Sequence, residues 1–301
     1  MATTVSGASV SGANVATSQT RNVGGLEMFY LDAPGGKNAP PMVLLHGLSA
    51  NASSFAGIIA AGLSPAFRVI APDLRGRARS GKPESGYEMA DHARDIIALL
   101  DSLGLERVVL GGHSFGGYLA IYIAAHYPER VSKLVVIDAA ISSHPRIAVL
   151  LKPSLDRLTR TFASADEYLA AIRSAPYMNG IWDDAAESYF RAELMEHPDG
   201  TVGSATSNAA IGQAAMGIAV EPWLHHVQQV GVPVLLLNAV GAFGAPDTPP
   251  LFDEQVARAT AKAFSNAKYV VVPGNHLTLL FGAGASAVRR EIEQFAGEGV
   301  A

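Results

Sequence analysis

The chain has 301 residues, 49% of them hydrophobic and 16% charged, with 22 Lys and Arg against 27 Asp and Glu for a formal net charge of -5. That length suits one main α/β domain with an insertion; the charge balance and the lack of a basic stripe disfavour nucleic acid and anionic lipid as partners; and the longest apolar runs, such as VPVLLLNAV, are too short for a bilayer span. There is no cysteine, which excludes disulfides, thiolate nucleophiles and cysteine zinc sites.

Residues 1–21 are rich in Ala, Ser, Thr and Gly and read as a flexible tail. They lack the basic n-region and apolar h-region of a secretory signal, so a cytoplasmic location is expected. NVGGLEMFYLDAPGG reads as a hairpin turning at Gly24-Gly25, and MVLL as a strand stopped by glycine. The strand FRVIAP and a helix over residues 89–103, with Ala93, Ile96, Ile97 and Leu100 at helical spacing, come next. Then follow the strand RVVLGG, the helix FGGYLAIYIAAHY closed by Pro128, and the strand SKLVVID. Continuous Val, Leu and Ile runs alternating with helices predict a doubly wound, mostly parallel sheet covered on both faces.

From about residue 139 to 220 that alternation stops and only helical pieces such as SADEYLAAIRSA appear, with Tyr177, Trp182, Phe190 and Met195 available for burial. This stretch reads as a helical lid inserted after the sixth strand. The α/β core is then expected over residues 22–138 and again over 221–301, where GVPVLLLNAV, a helix over LFDEQVARATAKAF, the strand KYVVVP and the helix ASAVRREIEQFA resume the pattern.

Gly112-His113-Ser114-Phe115-Gly116 fits G-x-S-x-G between a predicted strand and a predicted helix, the setting of a nucleophile elbow. A serine hydroxyl needs a base, and histidine suits that task near neutrality. Of the nine histidines, His276 lies in the loop past the last predicted strand, where a doubly wound sheet collects its reactive groups. His113 is within the motif and cannot turn back on Ser114, while His225-His226 and Asp91-His92 lack metal-pair spacing. No metal site and no cofactor are expected. HGLSAN, residues 46–51, follows the strand MVLL; its Leu48 N-H, with that of Phe115, is the expected pair of oxyanion donors.

With the HG loop at His46-Gly47, PDLRGRARSGKP from Pro72, GHSFGG from Gly112 and GNH ending at His276, the chain resembles the α/β-hydrolase-fold enzymes over about residues 22–297. Family members usually read D-x-R-G-x-G-x-S where this chain has Asp73-Leu74-Arg75-Gly76-Arg77-Ala78-Arg79-Ser80, so Ala78 replaces a glycine. The resemblance implies an acid behind His276. In most of the family that acid lies just past the strand that resumes after the lid, where this chain has Gly241, Ala242 and Phe243. Asp247 comes a few residues later. Asp138, ending KLVVID, matches the arrangement in polyketide-type thioesterases and certain lactonases, and NHLTLL resembles the thioesterase NH-x-T sequence. Asp138 is preferred and Asp247 is the alternative.

His46, Tyr177, Trp182, Met216 and Trp223 are candidate pocket residues. The expected activity is hydrolysis of a small-molecule carboxylic ester or lactone through a Ser-His-Asp triad and an acyl-enzyme. The alternatives are C-C bond hydrolysis or cofactor-free oxygenation of a ring compound on the same fold, and a non-catalytic ligand receptor. Serine at position 114 argues against the epoxide hydrolases and dehalogenases, whose nucleophile is a carboxylate. A homodimer is left open.

Overall fold

The computed structural model describes residues 16–297. Its main sheet has eight strands in the order β1-β2-β4-β3-β5-β6-β9-β10. β1 (Thr17–Val23) and β2 (Leu26–Ala33) pair antiparallel around Gly24 and Gly25, both at positive φ, as the hairpin expectation requires. β2 also runs antiparallel to β4 (Arg68–Pro72). β3 (Pro41–Leu45), β5 (Val108–His113), β6 (Val131–Ile137), β9 (Val234–Ala239) and β10 (Ala267–Val272) continue the sheet in parallel. Every residue of β5 and β9 is buried, which is why both read as unbroken apolar runs.

The tail expected through residue 21 ends earlier, because residues 17–21 belong to β1. β1 is an edge strand whose first six residues are exposed; with no apolar face, it has no alternation to read. The rest of that predicted tail, residues 1–15, lies outside the described residues.

The helices α1 (Met89–Ser102), α2 (Phe115–His126), α7 (Trp223–Gln229), α8 (Glu254–Ala263) and α9 (Gly282–Gly297) accompany the sheet. α2 is apolar all round and buried along most of its length, as a helix enclosed between layers must be. Between β6 and β9 the chain forms α3 (Ile147–Leu155), α4 (Ala165–Arg173), α5 (Asp184–Arg191) and α6 (Asn208–Val220). It also forms a small hairpin of β7 (Leu194–Glu196) and β8 (Val202–Ser204), where only helices were expected. The turn chemistry of His197-Pro198-Asp199-Gly200 explains it: Thr201 donates both its N-H and its hydroxyl to Asp199, and the His197 N-H bonds the Thr201 carbonyl. No helix among the described residues is long and apolar enough to cross a membrane.

Candidate active site

Ser114 follows β5 directly and precedes α2, with φ 54 and ψ -117. This is a strained backbone for a residue with a side chain, held because its surroundings over-determine it. Its N-H bonds the Ile137 carbonyl at 3.0 Å. The chain doubles back so tightly that a Cβ on Gly112 would stand 1.9 Å from the Gly116 carbonyl oxygen, and one on Gly116 would stand 1.9 Å from that of Leu45. Those two glycines admit the close approach, and α2 begins with its N-terminus against the end of β3.

Parallel register brings the remaining groups together. His113 pairs with Ile137, Ile137 with Leu237 and Asn238 with Val271, so Ser114, Asp138 and Asn238 lie in the next row across the carboxyl ends of the strands. The loop after β10 returns His276 over that row. His276 Nε2 is 3.0 Å from Ser114 Oγ, and its Nδ1 is 2.7 Å from Asp138 Oδ2. Asp138 is fully buried, and its Oδ1 accepts from Asn238 Nδ2 at 2.8 Å and from the Ala239 N-H at 2.9 Å. Asn238 is held in turn by the Tyr269 hydroxyl at 2.9 Å and by its own bond to the Phe252 carbonyl at 3.1 Å. This network fixes the amide orientation and puts the His276 proton on Nδ1, leaving Nε2 to accept from Ser114.

Asp247 takes no part in this arrangement. It is exposed in the turn after β9. The position where most of the family carries its acid is closed: the Gly241 N-H bonds the Gly274 carbonyl, and Phe243 sets its ring edge-on to His276 at 5.8 Å. His113 cannot reach Ser114, as the sequence implies, but it has another use. Its Nε2-H donates to the His276 carbonyl at 2.7 Å, which ties the histidine loop to the elbow.

The Leu48 and Phe115 amides have no acceptor among the described hydrogen bonds, and a Cβ on the neighbouring Gly47 would lie 3.6 Å from Ser114 Cβ. His46 was a candidate pocket residue, but it is a brace with no exposed surface. Its Nδ1-H donates to the Gly47 carbonyl at 2.8 Å, and its Nε2 accepts from the Leu74 N-H at 2.9 Å. The bond from Leu74 needs a neutral ring, and burial pushes the His46 pKa down to about 4. The bonded carbonyl belongs to the peptide that carries the Leu48 N-H, so His46 orients one of the two amides.

Other pocket candidates also move. Met216 is 72% exposed on the outside of α6. Trp223 packs on Tyr118 of α2, its indole N-H satisfied by the Ile218 carbonyl. Trp182 stacks on Phe190 and borders an outer depression with Leu169 and Arg191. Apolar character alone does not distinguish a lining position from packing. Tyr177 alone comes close to the reactive groups, stacked on Phe243 beside His276. Asn238 was missed, since an asparagine ending an apolar run reads as a strand terminator. No group of side chains able to hold a metal is present among the described residues.

Ala78, which replaces the family glycine, does sit at positive φ, 35. Around it Asp73 accepts from the Ala52 N-H and pairs with Arg79, while Arg75 is held by both oxygens of Asp95. The segment thus ties the first turn after β3 to α1 behind the site.

A family model for the α/β hydrolase fold matches residues 40–283. A 2-(acetamidomethylene)succinate hydrolase from Mesorhizobium japonicum is 30% identical over 240 residues, covering 79% of this chain and 81% of that protein. A non-heme chloroperoxidase from Streptomyces lividans is 29% identical over 256 residues, covering 80% and 88%. Among solved structures, an E-2-(acetamidomethylene)succinate hydrolase superposes with a TM-score of 0.82 at 26% identity, covering 94% of this chain and 99% of that one. An enol-lactonase from Burkholderia xenovorans shares the fold with a TM-score of 0.67 at 23% identity, covering 93% and 100%. On the family match and on that first relative, this chain belongs to the α/β hydrolase fold family.

Proposed function

We propose that the chain is a serine hydrolase of carboxylic esters or lactones that works through an acyl-enzyme. The observation that carries this reading is the unbroken series Ser114 Oγ, His276 Nε2, His276 Nδ1, Asp138 Oδ2, with spacings of 3.0 and 2.7 Å on the two sides of the imidazole. Ser114 Oγ attacks the substrate carbonyl carbon as its proton passes to His276 Nε2. The carbonyl oxygen becomes an oxyanion facing the Leu48 and Phe115 amides. Asp138 keeps the proton on Nδ1 and stabilises the imidazolium without itself being protonated. Collapse breaks the C-O bond, and the leaving alkoxide takes the proton from Nε2. Water, deprotonated by the same nitrogen, then attacks the acyl-enzyme; the C-Oγ bond breaks, Ser114 takes its proton back from Nε2, and the carboxylic acid leaves. For a lactone both products remain one molecule. The 30% identical relative, itself named as a hydrolase, supports hydrolysis as the reaction class.

The test is turnover of short p-nitrophenyl esters and a lactone panel by the wild type, Ser114→Ala, Asp138→Asn and Asp247→Asn. Ser114→Ala should be inactive, Asp138→Asn should lose on the order of a thousandfold or more in kcat, and Asp247→Asn should match the wild type. An Asp138→Asn enzyme that keeps its kcat would sink the assignment of the acid; ester turnover that survives Ser114→Ala would sink the reading itself.

A further inference from the structure

Arg77 occupies a position that the family pattern leaves variable, and it is fully buried. Its Nε donates to the Leu48 carbonyl at 3.0 Å and its Nη1 to the Arg75 carbonyl at 2.6 Å, with His92 Nε2 a further 3.4 Å contact. The guanidinium lies 5.1 Å from the centre of the Phe115 ring. Its Nη2 has no partner among the described residues. Nearby carboxylates are already taken: Asp95 by Arg75, and Asp73 by Arg79. Burial brings the Arg77 pKa down to about 9, which leaves the group charged at neutrality.

A buried cation without a counter-ion is costly, and folds keep such groups where function offsets the cost. Beyond its own turn and His92, Arg77 contacts Leu48 and Phe115, whose amides face the oxyanion in the reaction proposed above. We propose that Arg77 is a positioning residue of the oxyanion site: it holds the Leu48 loop and supplies a fixed positive charge behind both amides, favouring the negatively charged tetrahedral state over the neutral ester. The substrate carbonyl is uncharged when bound, so the charge acts mainly on the barrier and little on ground-state affinity.

This inference rests on Ser114 being the nucleophile, and the experiment separates the two. Wild type, Arg77→Lys, Arg77→Gln and Arg77→Met are assayed with a p-nitrophenyl ester and inactivated with an alkyl fluorophosphonate. In the inactivation the Oγ-P bond forms, the P-F bond breaks, fluoride leaves, the serine proton goes to His276, and the phosphoryl oxygen takes the oxyanion position. Both neutral variants should lose on the order of tenfold in kcat and in inactivation rate, with KM changed far less, and Arg77→Lys should recover most of the loss. Arg77→Gln keeps an N-H donor for the Leu48 carbonyl, so it carries the comparison if Arg77→Met does not fold. Neutral variants within twofold of wild type, or Arg77→Lys as impaired as Arg77→Met, overturn the electrostatic role. A wild type that fluorophosphonate does not label at Ser114 overturns the nucleophile assignment, and this inference with it.

Discussion

Asp138 has no exposed surface, and its two oxygens divide their partners between His276 and the neighbouring strand β9. Oδ2 faces His276, while Oδ1 is held by Asn238 and the Ala239 amide. Hydrogen bonds to a buried carboxylate are strong because the donor meets a full charge in a poorly screened site. Asn238→Leu fills the same space but removes one of the two donors that hold Asp138. The carboxylate is then free to rotate away from His276, so kcat should fall about tenfold. KM should not move, because Asn238 is separated from Ser114 by two side chains. Steady-state kinetics on an ester decides it, and an unchanged kcat would mean that Ala239 alone suffices. At this scale the candidate triad was legible for a positional reason: Ser114 and Asp138 stand immediately past strands whose apolar runs are plain, and His276 lies in the short loop after another, with Asp247 left as the alternative acid. Asn238 and Arg77 were not, because their roles depend on what parallel register and burial place beside them, and a single asparagine or arginine carries no such mark.

The strands and helices of the sheet were readable where burial was complete, as in β5 and β9, or nearly so, as in α2. Elements without that signature escaped, namely the polar edge strand β1 and the three-residue strands β7 and β8. The stretch from α3 to β8 is also held by a contact that no periodicity encodes. Arg157, just past α3, meets Glu193 through two bonds of 2.9 Å, both side chains almost wholly buried. Tyr168 of α4 donates to the same carboxylate, and Arg157 also reaches the Ser154 carbonyl and, at 3.1 Å, that of Ser49, next to Leu48. Burial alone would lower the Arg157 pKa, but Glu193 beside it holds it well above the usual value. Removing one partner of such a pair strands the other charge, which costs about 3–5 kcal/mol. Glu193→Gln should therefore lose that much stability in urea unfolding, with hydrogen-exchange protection falling first in residues 147–204. Protection lost uniformly over the whole sheet would show that the pair does not act locally.

Across the whole molecule, three buried histidines share one electrostatic condition. His46, His92 and His113 have pKa values depressed below the usual 6.5, to about 4 for His46 and well below the usual value for the other two. Burial is the main cause in each, with Arg77 adding to it at His92 and His276 at His113. Folding keeps all three neutral, whereas unfolding exposes them to water, where they bind protons below about pH 6.5. The unfolded state therefore holds more protons than the native state between about pH 6.5 and 4, and stability must fall as pH is lowered through that window. Each histidine contributes at most about 1.4 kcal/mol per pH unit once the pH is below its unfolded pKa, so the three together should remove on the order of 5 kcal/mol between pH 7 and 5, read from urea unfolding at successive pH values. His92 is the one to vary, since its ring packs edge-on to Phe115 at 5.0 Å and its Nδ1 has no partner among the described residues. His92→Phe keeps an aromatic ring there and removes one titrating group. It should flatten the slope by close to one proton while leaving the braces at His46 and His113 in place. A wild type whose stability is level from pH 7 to 5 would show that these rings already carry their protons in the folded protein. The Leu74 N-H would then have no lone pair to meet on His46, and the brace beneath the Leu48 amide would have to be held in some other way.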